Sequence, residues 1–184
     1  MYKDLIKSYK PINEQEQMDK LMMLQFIENN NDALYRTNLV AHFTSSAIIV
    51  NPEKTKVLFI HHNIYNSWGW VGGHNDGDPD FLKVSIKEAK EETGITNIEP
   101  YNDSIIGLDC IYVYNHIKKG AYVSDHLHMN LTYLLIASES EKLSIKEDEN
   151  SGVKWFKLEE ALEVIEEPRM KPIYTKYFNY VKSL

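Results

Sequence analysis

The chain has 184 residues, 43% of them hydrophobic and 11% aromatic, and carries a formal net charge of −7 with a pI near 5.5. This length and apolar content suffice for one well-buried core, so we expect a single domain with extensions. The acidic balance argues against a nucleic-acid polymer as partner, because no basic stripe is present to neutralise its phosphates.

The sequence also argues against a membrane protein. The N-terminus, MYKDLIKSYKPINEQEQ, has no apolar signal core, and no apolar run reaches the length of a membrane span. The single cysteine, Cys110, excludes an intrachain disulfide and lies in a strand-like apolar run, where we expect it to be buried. We therefore expect a cytoplasmic protein.

The N-terminal part of the chain predicts an amphipathic helix from Asn13 to about Asn29. Asn13 followed by Glu16 is a capping-box pattern, which is typical of a helix start. Apolar residues recur at helical spacing after it, and they predict the buried face: Met18, Leu21, Met22 and Phe26.

Further along the chain, strand patterns alternate with helix patterns. We predict strands at 42–50, 56–62, 105–117, 126–137 and 152–156, and helices at 157–165 and 171–184. The Gly- and Asp-rich segment 67–80 predicts a loop that leads into another helix, with Asp78 as N-cap and Pro79 at the first position. This arrangement suggests an α/β sandwich around a mixed sheet.

That helix contains the stretch KEAKEETGI, which crowds Glu88, Glu91 and Glu92 together just before Gly94. Glutamates at i, i+4 spacing repel one another, so folding alone does not favour them. A solvated acidic face is one interpretation. The preceding Gly72-Gly73 pair favours another, because bare backbone can approach a ligand there and oxygen donors suit a divalent cation.

The segment from Gly73 to Ile95 resembles the Nudix box, Gly-x5-Glu-x7-Arg-Glu-U-x-Glu-Glu-x-Gly-U, where U is a bulky apolar residue. Pro79 replaces the first Glu of that pattern and Lys87 replaces the Arg. The resemblance implies a Nudix-type α/β/α sandwich with a mixed β-sheet and helical extensions. We expect an N-terminal extension over 1–40, a core over 41–168 and a C-terminal helix over 169–184.

The resemblance also implies a function. Glu88, Glu91 and Glu92, with the carbonyl of Gly72, would bind Mg²⁺ or Mn²⁺. Glu91, Glu92 and Glu149 would be catalytic, with Glu149 preferred to Glu147. The expected reaction is metal-dependent cleavage of a phosphoanhydride in a nucleoside diphosphate linked to a moiety X, a small-molecule substrate.

Two alternatives stay open at this point. One is a non-catalytic Nudix module that senses a nucleotide, although its expected sign is an eroded Glu-x-x-Glu-Glu, and here that element is complete. The other is an isomerase of the isopentenyl diphosphate isomerase type, which Cys110 does not support because it follows the box. A homodimer is also left open.

The stretch HLHMNLTYLL alternates strictly, which places His126 and His128 on one strand face. Two histidines at i, i+2 form half of a zinc site, and His74 could supply a third ligand. The interpretation we favour makes them contacts of the substrate cleft, since neutral imidazoles donate to phosphate or ribose oxygens. The expected substrate-binding residues are therefore His74, His126 and His128. Trp70 is added to them as an aromatic just before the glycine pair, where it could stack on a base or cover the edge of the core.

Overall fold

The structure, a computed structural model, describes residues 2–118 and 120–184. Within these residues there are four helices: α1 (Tyr2–Ser8), α2 (Glu14–Asn29), α3 (Phe81–Thr93) and α4 (Lys171–Lys182). The ten strands are β1 (Ala41–Val50), β2 (Lys56–His62), β3 (Ser67–Gly69), β4 (Val71–His74), β5 (Ile98–Pro100), β6 (Gly107–Val113), β7 (His116–Lys118), β8 (Ala121–Val123), β9 (His126–Ala137) and β10 (Asn150–Lys157).

Eight strands form one mixed sheet whose main path is β10-β2-β1-β9-β5. The central pair, β1 and β9, is parallel from Ala41 opposite Leu127 to Val50 opposite Ile136. β1 pairs with β2 at its end and with β4 over Thr44 to Ala47. The sheet therefore splays, and β4 carries the Gly72-Gly73 pair against the middle of β1.

The two faces of this sheet bury separate cores, because side chains alternate along each strand. Phe43, Ala47 and Ile49 of β1 pack on the α3 side, together with Phe81 and Ala89. The alternate residues of β1 pack on the α4 side, where they share a core with aromatic residues of α4. That second core includes Ile48, Val50, Tyr174, Tyr177 and Phe178. This layering of helix, sheet and helix is the predicted α/β sandwich with a mixed sheet.

Two sequence expectations about helices are wrong. The helix predicted over 157–165 is absent, because Lys157 ends β10 and residues 158–163 form turns, while Leu158, Ala161 and Ile165 still bury their side chains in the α4-side core. Helix α3 begins at Phe81 with Asp80 as its N-cap, because the Asp80 side chain accepts a hydrogen bond from the Lys83 N–H at 3.0 Å. Asp78 instead accepts a hydrogen bond from the backbone N–H of Asp80.

Helix α2 begins as predicted but buries a different face. Asn13 caps it and accepts from the N–H of Glu16 at 2.8 Å. The predicted apolar face is mostly exposed, since Met18, Leu21 and Met22 are 61%, 48% and 37% exposed. The buried residues of α2 are Met23 and, against expectation, Glu16.

Glu16 is buried because an ionic network connects α2, β6 and α4. The Nζ atom of Lys176 lies 2.8 Å from Oε1 of Glu16 and 2.7 Å from Oδ1 of Asp109. The Tyr177 hydroxyl donates to the other oxygen of Asp109, and the Tyr9 hydroxyl donates to Glu16 at 2.7 Å. We call Glu16, Asp109 and Lys176 the buried ion network.

Cys110 is partly buried in β6, where its backbone N–H donates to Asp19 of α2 at 2.9 Å. None of the helices in the described residues combines the length and apolarity that a membrane crossing requires.

Candidate functional site

Three carboxylates converge beside the glycine pair of β4. One oxygen from each of Glu88, Glu92 and Glu149 lies within 4.8 Å of the others, and we call these residues the carboxylate cluster. Glu88 and Glu92 are one helical turn apart on α3, so both point to the same side. An all-oxygen donor set of this kind fits a hard divalent cation such as Mg²⁺ or Mn²⁺.

The glycines let α3 approach β4 closely. A Cβ atom at Gly73 would lie 2.5 Å from Cδ of Glu88, so a side chain there would displace that carboxylate. The N–H of Gly72 donates to Oε2 of Glu92 at 3.0 Å. Gly72 therefore contacts the cluster through its amide, and the predicted role of its carbonyl stays a prediction.

Glu149 is brought to α3 by hydrogen bonds around β10. The side-chain amide of Asn150 donates to the carbonyl of Glu92 at 2.9 Å, and the N–H of Asn63 donates to the carbonyl of Glu149 at 3.0 Å. These bonds fix the loop before β10 between the end of β2 and the end of α3. Glu147, the other candidate in this loop, is exposed.

Two lysines supply positive charge near these carboxylates. Lys146 lies 3.0 Å from Glu149 and 3.2 Å from Glu91, and Lys87 lies 3.0 Å from Glu88 and 3.4 Å from Glu91. Glu91 is thus paired with two ammonium groups and lies outside the carboxylate cluster. Its predicted role in metal binding stays a prediction.

The environment of Glu92 disfavours its charge. Burial raises the pKa of Glu92 to about 8, and the negative charges of Glu88 and Glu149 contribute to this rise. The hydrogen bond from Gly72 has the opposite effect and lowers the pKa. For Glu91, hydrogen bonds and charge from Lys146 and Lys87 outweigh burial and lower the pKa. The two neighbouring glutamates therefore differ in protonation, and Glu92 needs a cation beside it to ionise at neutral pH.

A second group lies on the α4 side of the sheet and contains only imidazoles. His42, His74 and His128 each offer a nitrogen within 4.8 Å of the others, and Nε2 of His126 lies 3.1 Å from Nε2 of His128. We call these four residues the histidine cluster. Burial lowers the pKa of His74 to about 3, and it also lowers the pKa values of His42 and His128.

The structure thus brings together three of the four predicted substrate-binding residues, His74, His126 and His128. Trp70 lies just before β4, where its ring centroid is 5.1 Å from that of Tyr174 and 5.8 Å from that of Tyr177. It covers the edge of the α4-side core.

Comparison with known proteins identifies the family. The profile of the NUDIX domain matches residues 41–177, which is most of the chain. The chain belongs to the Nudix family. As a Nudix protein it is a hydrolase that acts on phosphoanhydrides, as the resemblance of the Gly73–Ile95 segment implied. No curated protein sequence gives a significant match to the chain.

Solved structures show the same fold at low sequence identity. An Ap4A hydrolase from C. elegans in a binary complex is 18% identical with a TM-score of 0.57, covering 77% of this chain and 98% of that one. A NUDIX family hydrolase from Clostridium perfringens is 24% identical, with a TM-score of 0.53 and coverages of 76% and 97%. A MutT protein from Methanosarcina mazei Go1 is 19% identical, with a TM-score of 0.57 and coverages of 80% and 99%.

Two residues near the site of this Nudix protein are not among the predicted site residues. Lys146 reaches the carboxylates from a loop whose conformation no local pattern determines. His42 opens a strand, a position at which a histidine is usually structural. His42 and His128 are brought together by the parallel register of β1 and β9, in which they are opposite each other. The alternation of residues along both strands was the sequence signal that could have predicted this contact.

The raised pKa of Glu92 predicts an effect on stability that is independent of turnover. The folded protein holds the Glu92 proton up to about pH 8 and an unfolded carboxyl releases it near 4.5. Metal-free wild-type protein should therefore lose stability, relative to Glu92→Gln, as pH rises between these values, with a slope approaching about 1.4 kcal/mol per pH unit. Urea unfolding in a chelator at several pH values measures this difference, and a constant difference would contradict the assignment.

Proposed function

We propose that this Nudix protein is a metal-dependent pyrophosphohydrolase that cleaves a phosphoanhydride bond in a nucleoside diphosphate linked to a further moiety. The observation that supports the proposal most is the carboxylate cluster, with its three oxygens within 4.8 Å of one another in a chain of this family. Its donors suit Mg²⁺ or Mn²⁺ and a phosphate-bearing substrate.

In this proposal Glu88 and Glu92 hold the metal from α3, and Glu149 completes the set from the loop before β10. Glu91 is proposed as an additional ligand, which requires its carboxylate to leave Lys87 or Lys146. A bound Mg²⁺ or Mn²⁺ supplies charge stabilisation at the phosphoryl oxygens and lowers the pKa of water. Glu149, which is partly exposed, is proposed to accept the proton of the attacking water.

The substrate is proposed to extend from the carboxylate cluster, where its phosphates would meet the metal, to the histidine cluster on the α4 side of the sheet. Trp70 and His74 both point to this side, because alternate residues of a strand share a face. The imidazoles of the histidine cluster offer donors and acceptors to a phosphate or a ribose, and burial favours the neutral form of His42, His74 and His128 by lowering their pKa values. Trp70 offers an aromatic edge just before the other end of β4.

Replacing His126 tests this placement. His126→Ala should raise KM more than it lowers kcat, because it removes a substrate contact without touching the carboxylate cluster. Steady-state kinetics with the substrate that is cleaved fastest measures both constants. An unchanged KM in a folded variant would show that His126 does not face the substrate.

The proposed activity is tested by a substrate panel. Purified protein is incubated with Mg²⁺ or Mn²⁺ and with dinucleotides, nucleotide sugars, NAD(H), ADP-ribose and oxidised or normal nucleoside triphosphates, and products are followed by mass spectrometry. Ap4A is included because one structural neighbour is named as its hydrolase. Cleavage at a phosphoanhydride identifies the linked moiety from the two fragments.

Silence across the panel with metal bound would favour the sensing module or a substrate that is not a nucleotide. The isomerase alternative has less support, because Cys110 contacts Asp19 of α2 and is not part of the carboxylate cluster. We also propose a cytoplasmic location. A homodimer is proposed to form through helix α2, whose Met18, Leu21 and Met22 are exposed, or through an edge of the sheet.

A further inference from the structure

The histidine cluster is assembled from three different strands. His42 comes from β1, His74 from β4, and His126 with His128 from β9. The ring of His42 is central, with its centroid 5.0 Å from the centroid of each of the other three rings. Residues from distant parts of the sequence therefore converge on one point of the sheet.

Hydrogen bonds to the backbone fix the proton position on two of these rings. Nδ1 of His42 lies 3.0 Å from the carbonyl oxygen of Asn38, and Nδ1 of His126 lies 2.8 Å from the carbonyl oxygen of Ser124. A carbonyl can only accept, so Nδ1 carries the hydrogen in both rings, and in the neutral form of each ring Nε2 presents a lone pair. This is the arrangement that metal-binding histidines adopt, with the second nitrogen donating to a carbonyl.

The lone pair of His42 has no partner. His42 is 4% exposed, and Nε2 is buried without a hydrogen-bond partner among the residues that the structure describes. Buried polar atoms normally have a partner, so an unpartnered nitrogen among three other imidazoles points to a missing ligand. A cation is the ligand that several lone pairs can share.

The nitrogens of His126 and His128 lie close to the spacing that a shared metal would impose. Two nitrogens bound to zinc at about 2.0–2.1 Å in a tetrahedron are about 3.3 Å apart. The observed separation of the two Nε2 atoms is 3.1 Å. Only a small movement would separate the present hydrogen-bonded pair into two zinc ligands.

We propose that the histidine cluster binds a zinc ion through His42, His74, His126 and His128, at a site separate from the carboxylate cluster. Imidazole nitrogens favour Zn²⁺ over Mg²⁺, whereas carboxylate oxygens favour Mg²⁺, so the two sites select different ions. The neutral state that burial favours in His42, His74 and His128 is the state that binds metal. Zinc would fasten the ends of β1, β4 and β9 to one another.

The test measures metal binding and does not depend on turnover. Chelator-treated protein in excess Mg²⁺, which keeps the carboxylate cluster supplied with its own ion, is titrated with Zn²⁺ by calorimetry. X-ray absorption at the zinc edge then reports the ligands. We expect one zinc per chain and a shell of four nitrogens at about 2.0–2.1 Å.

Matched variants locate the site. His74→Asn, at the end of β4, should weaken zinc binding by more than about tenfold, and His128→Asn should do the same. His61→Asn is the control, because His61 bonds to Ser151 and lies outside the cluster. Circular dichroism establishes that each variant is folded, and the variant of the partly exposed His74 decides the test if His128→Asn fails to fold.

Three results would overturn the proposal. They are no zinc binding in Mg²⁺, an affinity unchanged in folded His74→Asn, or zinc binding that is lost in Glu92→Gln. The last result would place the zinc in the carboxylate cluster. Because none of these readouts involves hydrolysis, the proposed hydrolysis can fail while the zinc site stands, and the reverse also holds. Zinc bound by all four imidazoles would replace the direct substrate contacts proposed for His74, His126 and His128, since each ring would then commit its free nitrogen to the ion.

Discussion

Glu92→Gln should reduce kcat on the best substrate by roughly 10²- to 10³-fold or more, about 2.7–4 kcal/mol of activation free energy. Glu92 is 2% exposed, and its carbonyl accepts a hydrogen bond from the side chain of Asn150. Its carboxylate accepts a hydrogen bond from the N–H of Gly72 and lies beside the other carboxylates of the cluster. The amide keeps the size and one acceptor of the carboxylate but cannot carry the negative charge that binds a dication. The loss should therefore appear in catalysis and metal binding.

A control variant separates the effect on catalysis from an effect on folding. Glu99→Gln is the matched control, because Glu99 is an exposed residue of β5 and its variant should turn over normally. The raised pKa of Glu92 means that metal-free Glu92→Gln is more stable than wild type above the pH at which an unfolded carboxyl ionises. A Glu92→Gln variant that binds metal and hydrolyses substrate at the wild-type rate would refute the assignment of Glu92.

Lys176→Met should lower the free energy of unfolding by about 3–5 kcal/mol, because removing one partner of a buried ion pair leaves the opposite charge uncompensated. Here two carboxylates lose their cation, since Glu16 and Asp109 are both fully buried and both contact Lys176. Burial already raises the pKa of Asp109 against the effect of Lys176. The stability deficit of the variant should therefore shrink at low pH, where Asp109 takes up a proton.

Urea unfolding monitored by circular dichroism measures this loss. Lys182→Met is the matched control on the same helix, because Lys182 is exposed and its removal should change the unfolding free energy by less than about 0.5 kcal/mol. Adding Glu16→Gln and Asp109→Asn to Lys176→Met should restore part of the stability by neutralising the orphaned charges. Equal stability of the two lysine variants would show that the buried ion network is not stabilising.

The site was predictable from sequence where one element carries the pattern. Glu88 and Glu92 share a helical turn, and the spacing of the Gly73–Ile95 segment indicated both the family and the acidic group. The position of Lys146 was not predictable, because it depends on how the loop before β10 folds. Predicting that His42 belongs to the histidine cluster requires knowing which strands pair and in what register, and this is a property of the whole sheet.

The two wrong predictions about the fold have a similar cause. Residues 157–165 have helical spacing of apolar residues, but three of them reach the core equally well from a series of turns. On α2 the spacing of the apolar residues predicted the buried face. The face that is actually buried contains the charged residue Glu16, because Lys176 supplies the partner that allows its burial. Tertiary contacts decided both cases.

The buried ion network affects how the protein unfolds. Glu16 lies outside residues 41–177, the region shared with the family, yet it is fixed to Lys176 of the last helix, which also holds Asp109 of the sheet. Helix α2 therefore cannot dissociate from the sheet while the remainder of the domain stays folded. We expect α2 to unfold in the same cooperative transition as the sheet. In a chain shortened to residues 41–177, the charges of Lys176 and Asp109 would become exposed to solvent, whereas in the full chain both are buried.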